Sequence, residues 1–151
     1  MSQDDYLKYW RVIRYYTLRK NKLQLAELET LIFLRSEKYF TKKKFDEFTQ
    51  LYPWNSRRFD DLLSKGWIEV FSKPTTHPKK KGLHQTVYQL SLKSKRVVKD
   101  VYDKLSGDEL SVDPCVNPMF RKNVKYSDKV YRKMIIKMNE FIRQQRHLSQ
   151  E

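Results

Sequence analysis

Apolar residues recur at helical spacing through the first half of the chain. Tyr6, Tyr9, Trp10, Ile13, Tyr16 and Thr17 fall on one stripe behind a capping Asp4 or Asp5, which predicts a first helix closed by the polar run RKNK. A second helix is predicted from Leu23 or Leu25. Leu28, Leu31, Ile32 and Phe33 or Leu34 make it apolar nearly all round, the mark of a buried central helix. Thr41 stands where an N-cap belongs, ahead of KKKFDEFTQL, with Phe45, Phe48 and Leu51 turned inward. Pro53 ends that helix, and Asn55 or Ser56 caps a shorter one with Phe59, Leu62 and Leu63 inward. Gly66 sits where a helix commonly ends in a left-handed residue.

From Trp67 the period drops from 3.6 to 2. Ile68 and Val70 are expected on one face of a strand, with Trp67, Glu69 and Phe71 on the other. Val87 to Leu92 alternates again, with Tyr88, Leu90 and Leu92 inward, and a lysine-rich loop joins the two strands. Ser94 is expected to cap a fifth helix carrying Val97, Val98, Val101, Tyr102 and Leu105 and ending at Gly107. An irregular connector, 108–123, is punctuated by Pro114 and Pro118. A last helix is predicted from about Tyr126 to His147. The pattern describes a mostly α fold with a small β-wing, read as one domain over 1–151. Its core would be 23–92 with the wing at 67–92, flanked by helical elements at 1–22 and 94–151.

Charge changes the picture most. The 151 residues hold 32 Lys and Arg against 18 Asp and Glu, a net +14, and polyanions are the commonest partners of so basic a chain. Between Thr41 and Asp100 the balance is 14 against 6, whereas each flank contributes only +3. The excess therefore gathers on the winged segment. A lone Cys115 permits no internal disulfide, and no signal peptide or bilayer-spanning run is visible, so a cytoplasmic protein without membrane contact is expected. His77, His84 and His147 lack ligand spacing, and no catalytic or phosphate-loop motif occurs. The expectation is a non-enzyme without cofactor or metal.

Helix, helix, short helix, strand, basic loop and strand is the order of a helix-turn-helix closed by a wing. In that geometry the helix after Thr41 crosses the sugar-phosphate backbone, and the helix after Asn55 enters a major groove by its N-terminal end. Asn55, Ser56, Arg57 and Arg58 are then the candidates for base contact, since Arg can pair with guanine and Asn with adenine through two hydrogen bonds each. Lys42, Lys43, Lys44, Lys73, Lys79, Lys80 and Lys81 are the candidates for phosphate. Trp54 is read as a packing anchor at the turn.

Over Tyr6 to His147 the element order resembles a MarR-type winged helix-turn-helix regulator. FDDLLSKGWIEVF is similar to that family's exit from its recognition helix, and YQLSLKSKRVVKDV to its return from wing to helix. Two departures stand out. TTHPKKKGLHQ lacks the family's Asp-x-Arg wing signature, and the connector at 108–123 is longer. The resemblance implies sequence-specific binding of double-stranded DNA by a homodimer that regulates transcription. The first and last helices would supply the dimer contacts, with Tyr131, Met134, Ile135, Met138 and Ile142 on the dimerisation face. Such regulators also include some with a small-molecule effector, for which no residue here speaks. Two other readings stay open: a winged-helix interaction module within a larger assembly such as a virion or polymerase complex, favoured by an exposed Trp67 and Phe71, and a nonspecific nucleic-acid binder.

Overall fold

A computed structural model describes residues 8–51, 57–73 and 85–150, without the side chains of 49–51 and 57. Among these residues six α-helices and three short strands follow one another: α1 (Trp10–Asn21), α2 (Leu25–Glu37), β1 (Tyr39–Phe40), α3 (Lys42–Leu51), α4 (Arg57–Ser64), β2 (Ile68–Ser72), β3 (Val87–Leu90), α5 (Leu92–Leu105) and α6 (Tyr126–Leu148). They gather in two compact units. One is Ala26–Val98; the other joins the chain up to Leu25 with the chain from Lys99 onward.

The central unit, Ala26–Val98, is a winged helix-turn-helix. Its core is Leu28, Leu31 and Leu34 of α2 with Phe45, Phe59 and Leu62, all buried. Phe45 meets Phe59 edge-on at 5.2 Å, and Phe59 meets Tyr88 the same way at 4.9 Å, so α3, α4 and β3 close on one aromatic cluster. The Thr41 hydroxyl accepts the Lys44 amide at 3.1 Å, as an N-cap should. Gly66 takes φ +77°, a left-handed conformation that costs a glycine little, and ends α4 where expected.

The sheet is antiparallel with order β1-β3-β2. β1 was not legible in the sequence, because two residues carry no period. It pairs Tyr39 with Gln89 and Phe40 with Tyr88, tying the link between α2 and α3 to the wing strand. The expected alternation along β2 fails at both ends. Trp67 is 5% exposed rather than open to a partner. It still belongs to the helix exit: its amide donates to the Leu62 carbonyl at 2.9 Å, and its carbonyl accepts from the Ser91 amide and from the Ser91 and Ser94 hydroxyls. Further on, the register shifts between Val70 and Ser72, so Phe71 bulges out and packs against Tyr39 with the rings tilted, 4.4 Å between centroids.

α5 starts at Leu92, two residues before the expected Ser94 cap, and Leu92 is exposed rather than inward. Ser91 is the cap, its hydroxyl accepting the Ser94 amide at 3.3 Å, while Ser94 is buried in the first turn.

In the flanking unit α1 and α6 bury Val12, Ile13, Tyr16, Ile135, Met138 and Ile142. The connector is pinned rather than loose. Asn139 takes the Leu110 amide at 3.0 Å and donates to its carbonyl at 2.8 Å, and Arg132 donates to the carbonyls of Met119 and Arg121. A 3₁₀ turn at Pro118–Phe120 buries Met119 beside them.

Candidate nucleic-acid interface

α3 begins with Lys42, Lys43 and Lys44, all exposed, and no carboxylate stands in its first turn. The helix dipole makes that end electropositive already, so three cations there work against helix stability. Among the described residues only Lys44 has a counterion, a modest one, Glu47 at 3.8 Å. Lys42 leans its ammonium 5.6 Å from the Phe59 ring, which holds the stem on the core while the head stays in water. α5 repeats the arrangement: Lys93, Lys95 and Arg96 stand in and beside its first turn, again with no acid there. Lys93 is fixed in place, its ammonium 3.8 Å from the Trp67 ring and donating to the Lys65 carbonyl at 3.0 Å. Both helices are capped by neutral hydroxyls, Thr41 and Ser91, where a carboxylate would have quenched the field.

α4 lies between them with Arg57 and Arg58 as its first residues. Arg58 is half-buried rather than standing clear, and its Nε is out of solvent with no hydrogen-bond partner among the described residues. No ion pair ties it to Asp60 or Asp61 among those residues either, although both carboxylates are exposed. An unsatisfied buried donor costs about 1–3 kcal/mol. Lys73 is exposed just past β2. Asn55, Ser56, Lys79, Lys80 and Lys81 lie outside the described residues, as do Trp54 and the side chain of Arg57.

Two features of this unit escaped the sequence reading. Glu27, buried in the first turn of α2, holds Lys65 at 3.1 Å and so removes that lysine from the free positive field. The apolar stripe of α5 dominates its sequence pattern and hides the cations that open it. The missing carboxylate in its first turn was the available signal.

The dimerisation face needs a correction. Ile135, Met138 and Ile142 are buried within the single chain, and Tyr131 is spent on a ring stack with Tyr15 at 3.9 Å and a hydrogen bond from Arg11 at 3.1 Å. A 23-residue helix lying on α1 uses that stripe for its own core. The apolar residues of α6 left in solvent are Tyr126, Val130, Met134, Ile136 and Leu148, with Tyr126 82% exposed. Of the expected set only Met134 belongs to this exposed group.

The start of α6 carries a different kind of site. Asp128 is wholly buried and takes a two-pronged hydrogen bond from Arg19, at 3.0 and 3.2 Å, and a third from the Tyr15 hydroxyl at 2.6 Å. Burial alone would raise its pKa. The bonds from Arg19 and Tyr15, with the Arg19 charge, outweigh that and hold it below the usual carboxylate value. Burial, then the bond to Asp128, pushes the Tyr15 hydroxyl up.

No protein-family model matches this chain, and no curated protein matches it. Solved structures similar to it do exist. The reduced form of MarR from E. coli is 19% identical with a TM-score of 0.45, covering 87% of each chain. A mutant MarR from E. coli complexed with operator DNA is 18% identical with a TM-score of 0.43, covering 87% of this chain and 84% of that one. The oxidised form is 16% identical, with a TM-score of 0.44. All three are MarR. They are members of the family that the sequence motifs resemble, but a likeness this loose carries no function across. Function has to come from the chain's own residues. Among those described, no group of three or more His, Cys, Asp or Glu gathers that could hold a metal, and no helix is long and apolar enough to cross a membrane.

Proposed function

We propose that this chain binds duplex DNA and reads its sequence, acting as a homodimer that regulates transcription. The observation that supports it is the pair of helix starts in the central unit. α3 and α5 each open with cations and without a carboxylate in the first turn. A helix N-terminus already favours phosphate, and adding exposed lysines to it serves an anion rather than the fold. α4, between them in the chain, supplies Arg57 and Arg58 for base edges, with Asn55 and Ser56 ahead of it. Lys42, Lys43, Lys44, Lys73 and the wing lysines Lys79, Lys80 and Lys81 would take phosphates.

The test is selection of bound sequences from a random duplex pool at physiological salt. Enrichment of an inverted repeat is the expected result, and Arg57→Ala should then relax the preference at one position of each half-site. Binding without enrichment would replace this reading with nonspecific coating of nucleic acid.

One observation favours a second reading, an interaction module. Tyr39 and Phe71, 53% and 52% exposed, pack with tilted rings in the open beside the exposed Val70. Failure to bind any duplex, together with loss of a protein partner on Phe71→Ser, would move the assignment there.

A further inference from the structure

The flanking unit contains a hollow of about 510 Å³ between the end of α1 and the connector. Five cations line it: Arg19, Lys20, Lys22, Arg121 and Lys122. Among the described residues no acidic side chain does. Arg19 is largely neutralised by Asp128, which leaves four positive charges around one concavity. Two of the five have a structural reason to be there, since Arg19 and Lys20 sit in the last turn of α1 and complement its dipole. Arg121 is partly engaged as well, its Nε donating to the Pro114 carbonyl at 3.2 Å, and Lys22 is the C-cap of α1, which leaves Lys122 without such a role among the described residues. Lys22 is held at φ +53°, and Asn123, next to Lys122, at φ +59°. Both are left-handed: Lys22 as the C-cap that ends α1, its amide bonded to the Leu18 carbonyl, and Asn123 as a residue type that tolerates this conformation.

A neighbouring hollow of about 450 Å³ shows what the same surface does when charge serves the fold alone. It is lined by Asp100, Glu109 and Asp113 as well as cations, and the signs pair off, with Arg143 on Glu109 at 2.7 Å and Lys104 on Asp100 at 3.7 Å. The cationic hollow lacks that balance. Its remaining lining is Val116, Pro118, Val124 and the thiol of Cys115. A volume of this size accepts a small molecule, and apolar wall beside convergent charge suits a ligand with a charged end and a less polar body.

We propose that this hollow binds a small organic anion carrying two or more linked phosphates. The ammonium groups of Lys20, Lys22 and Lys122 and the guanidinium of Arg121 take the phosphate oxygens, and Val116, Pro118 and Val124 carry the rest. The site lies within one unit and does not depend on the central unit reading DNA. A nucleic-acid backbone offers the same phosphate chemistry, but the linked-phosphate reading fits a concavity better than a convex duplex edge.

Cys115 supplies the readout. It is the single cysteine, it is exposed, and it lines the hollow. The full chain is treated with a neutral disulfide reagent, 4,4′-dithiodipyridine, while inorganic pyrophosphate and then ATP are titrated in at ionic strength held constant with sodium chloride. Saturable slowing of the thiol reaction is expected. Lys22→Gln with Lys122→Gln should raise the half-saturating concentration about tenfold or more, as lost charge-assisted bonds do. Lys133→Gln with Lys137→Gln, which removes equal charge away from the hollow, on α6, should leave it unchanged. Slowing that fails to saturate, that sodium chloride or sulfate reproduces, or that the control pair weakens equally would overturn the proposal. So would protection by a short duplex alone.

Discussion

At the start of α6 a single carboxylate, Asp128, sits buried in the first turn with Arg19 and Tyr15 bonded to it, and Arg146 and His147 occupy the last turn. At the start of α3 three exposed lysines stand in the first turn, with no carboxylate, and no cation stands in the last. The first arrangement follows the helix dipole and the second opposes it. Both are hydrophilic helix starts in a basic chain; their sequences, YSDK and TKKK, differ at three of four positions, and the decisive change is a carboxylate in place of a lysine. The difference separates charge that holds the fold together from charge that the fold tolerates for another purpose.

Removing Asp128 tests the first half of that contrast and should have the largest effect. Asp128→Asn is expected to cost about 2–3 kcal/mol in urea-induced unfolding. It strands Arg19, which is partly exposed and recovers some hydration, so the loss falls below that of a fully buried pair. On the DNA side, wild-type affinity should fall with log salt at a slope near −5 for about six neutralised phosphates. Replacing Lys42, Lys43 and Lys44 with Gln should flatten that slope by about 2–3 and weaken all sequences alike, with no loss of stability. A salt-independent affinity would remove the phosphate role altogether.

Acid separates the two starts in another way. Because the folded-state pKa of Asp128 is depressed, the unfolded chain binds more protons as pH falls below about 4. The stabilisation from Asp128 is full above that value and drains away as pH drops through the folded pKa. Thermal midpoints measured between pH 7 and pH 3 should therefore fall less steeply in Asp128→Asn than in the wild type.

Arg58→Met should relieve a buried donor that has no partner among the described residues, raising stability by about 1 kcal/mol while duplex recognition weakens. A fall in stability would show that the guanidinium is bound within the fold. The smallest effect is the sharpest test of the comparison. Lys43→Glu gives α3 the acidic start of α6, and should raise stability by about 0.5 kcal/mol while lowering duplex affinity.

Helix spacing, the Thr41 cap, the Gly66 exit and the extent of α6 could all be read from the chain, because each depends on neighbours within a turn or two. The basic weighting of the winged segment was legible for the same reason, since charge is counted rather than folded. Arg58, Trp67, Ile135, Met138 and Ile142 were not. Whether an arginine at a helix start stands clear, whether a tryptophan before a strand faces solvent, and which part of a broad apolar stripe the chain keeps for itself depend on residues far away in sequence. For Trp67 these are Ser91, Lys93 and Ser94. The carboxylate of Asp128 finds Arg19 across 109 residues, and the cationic hollow joins the end of α1 to a connector nearly as distant. Local pattern determined the elements and where the charge was concentrated. Only the packing of those elements decided which charges were paired, which apolar faces were used up, and where unpaired cations came to share a hollow.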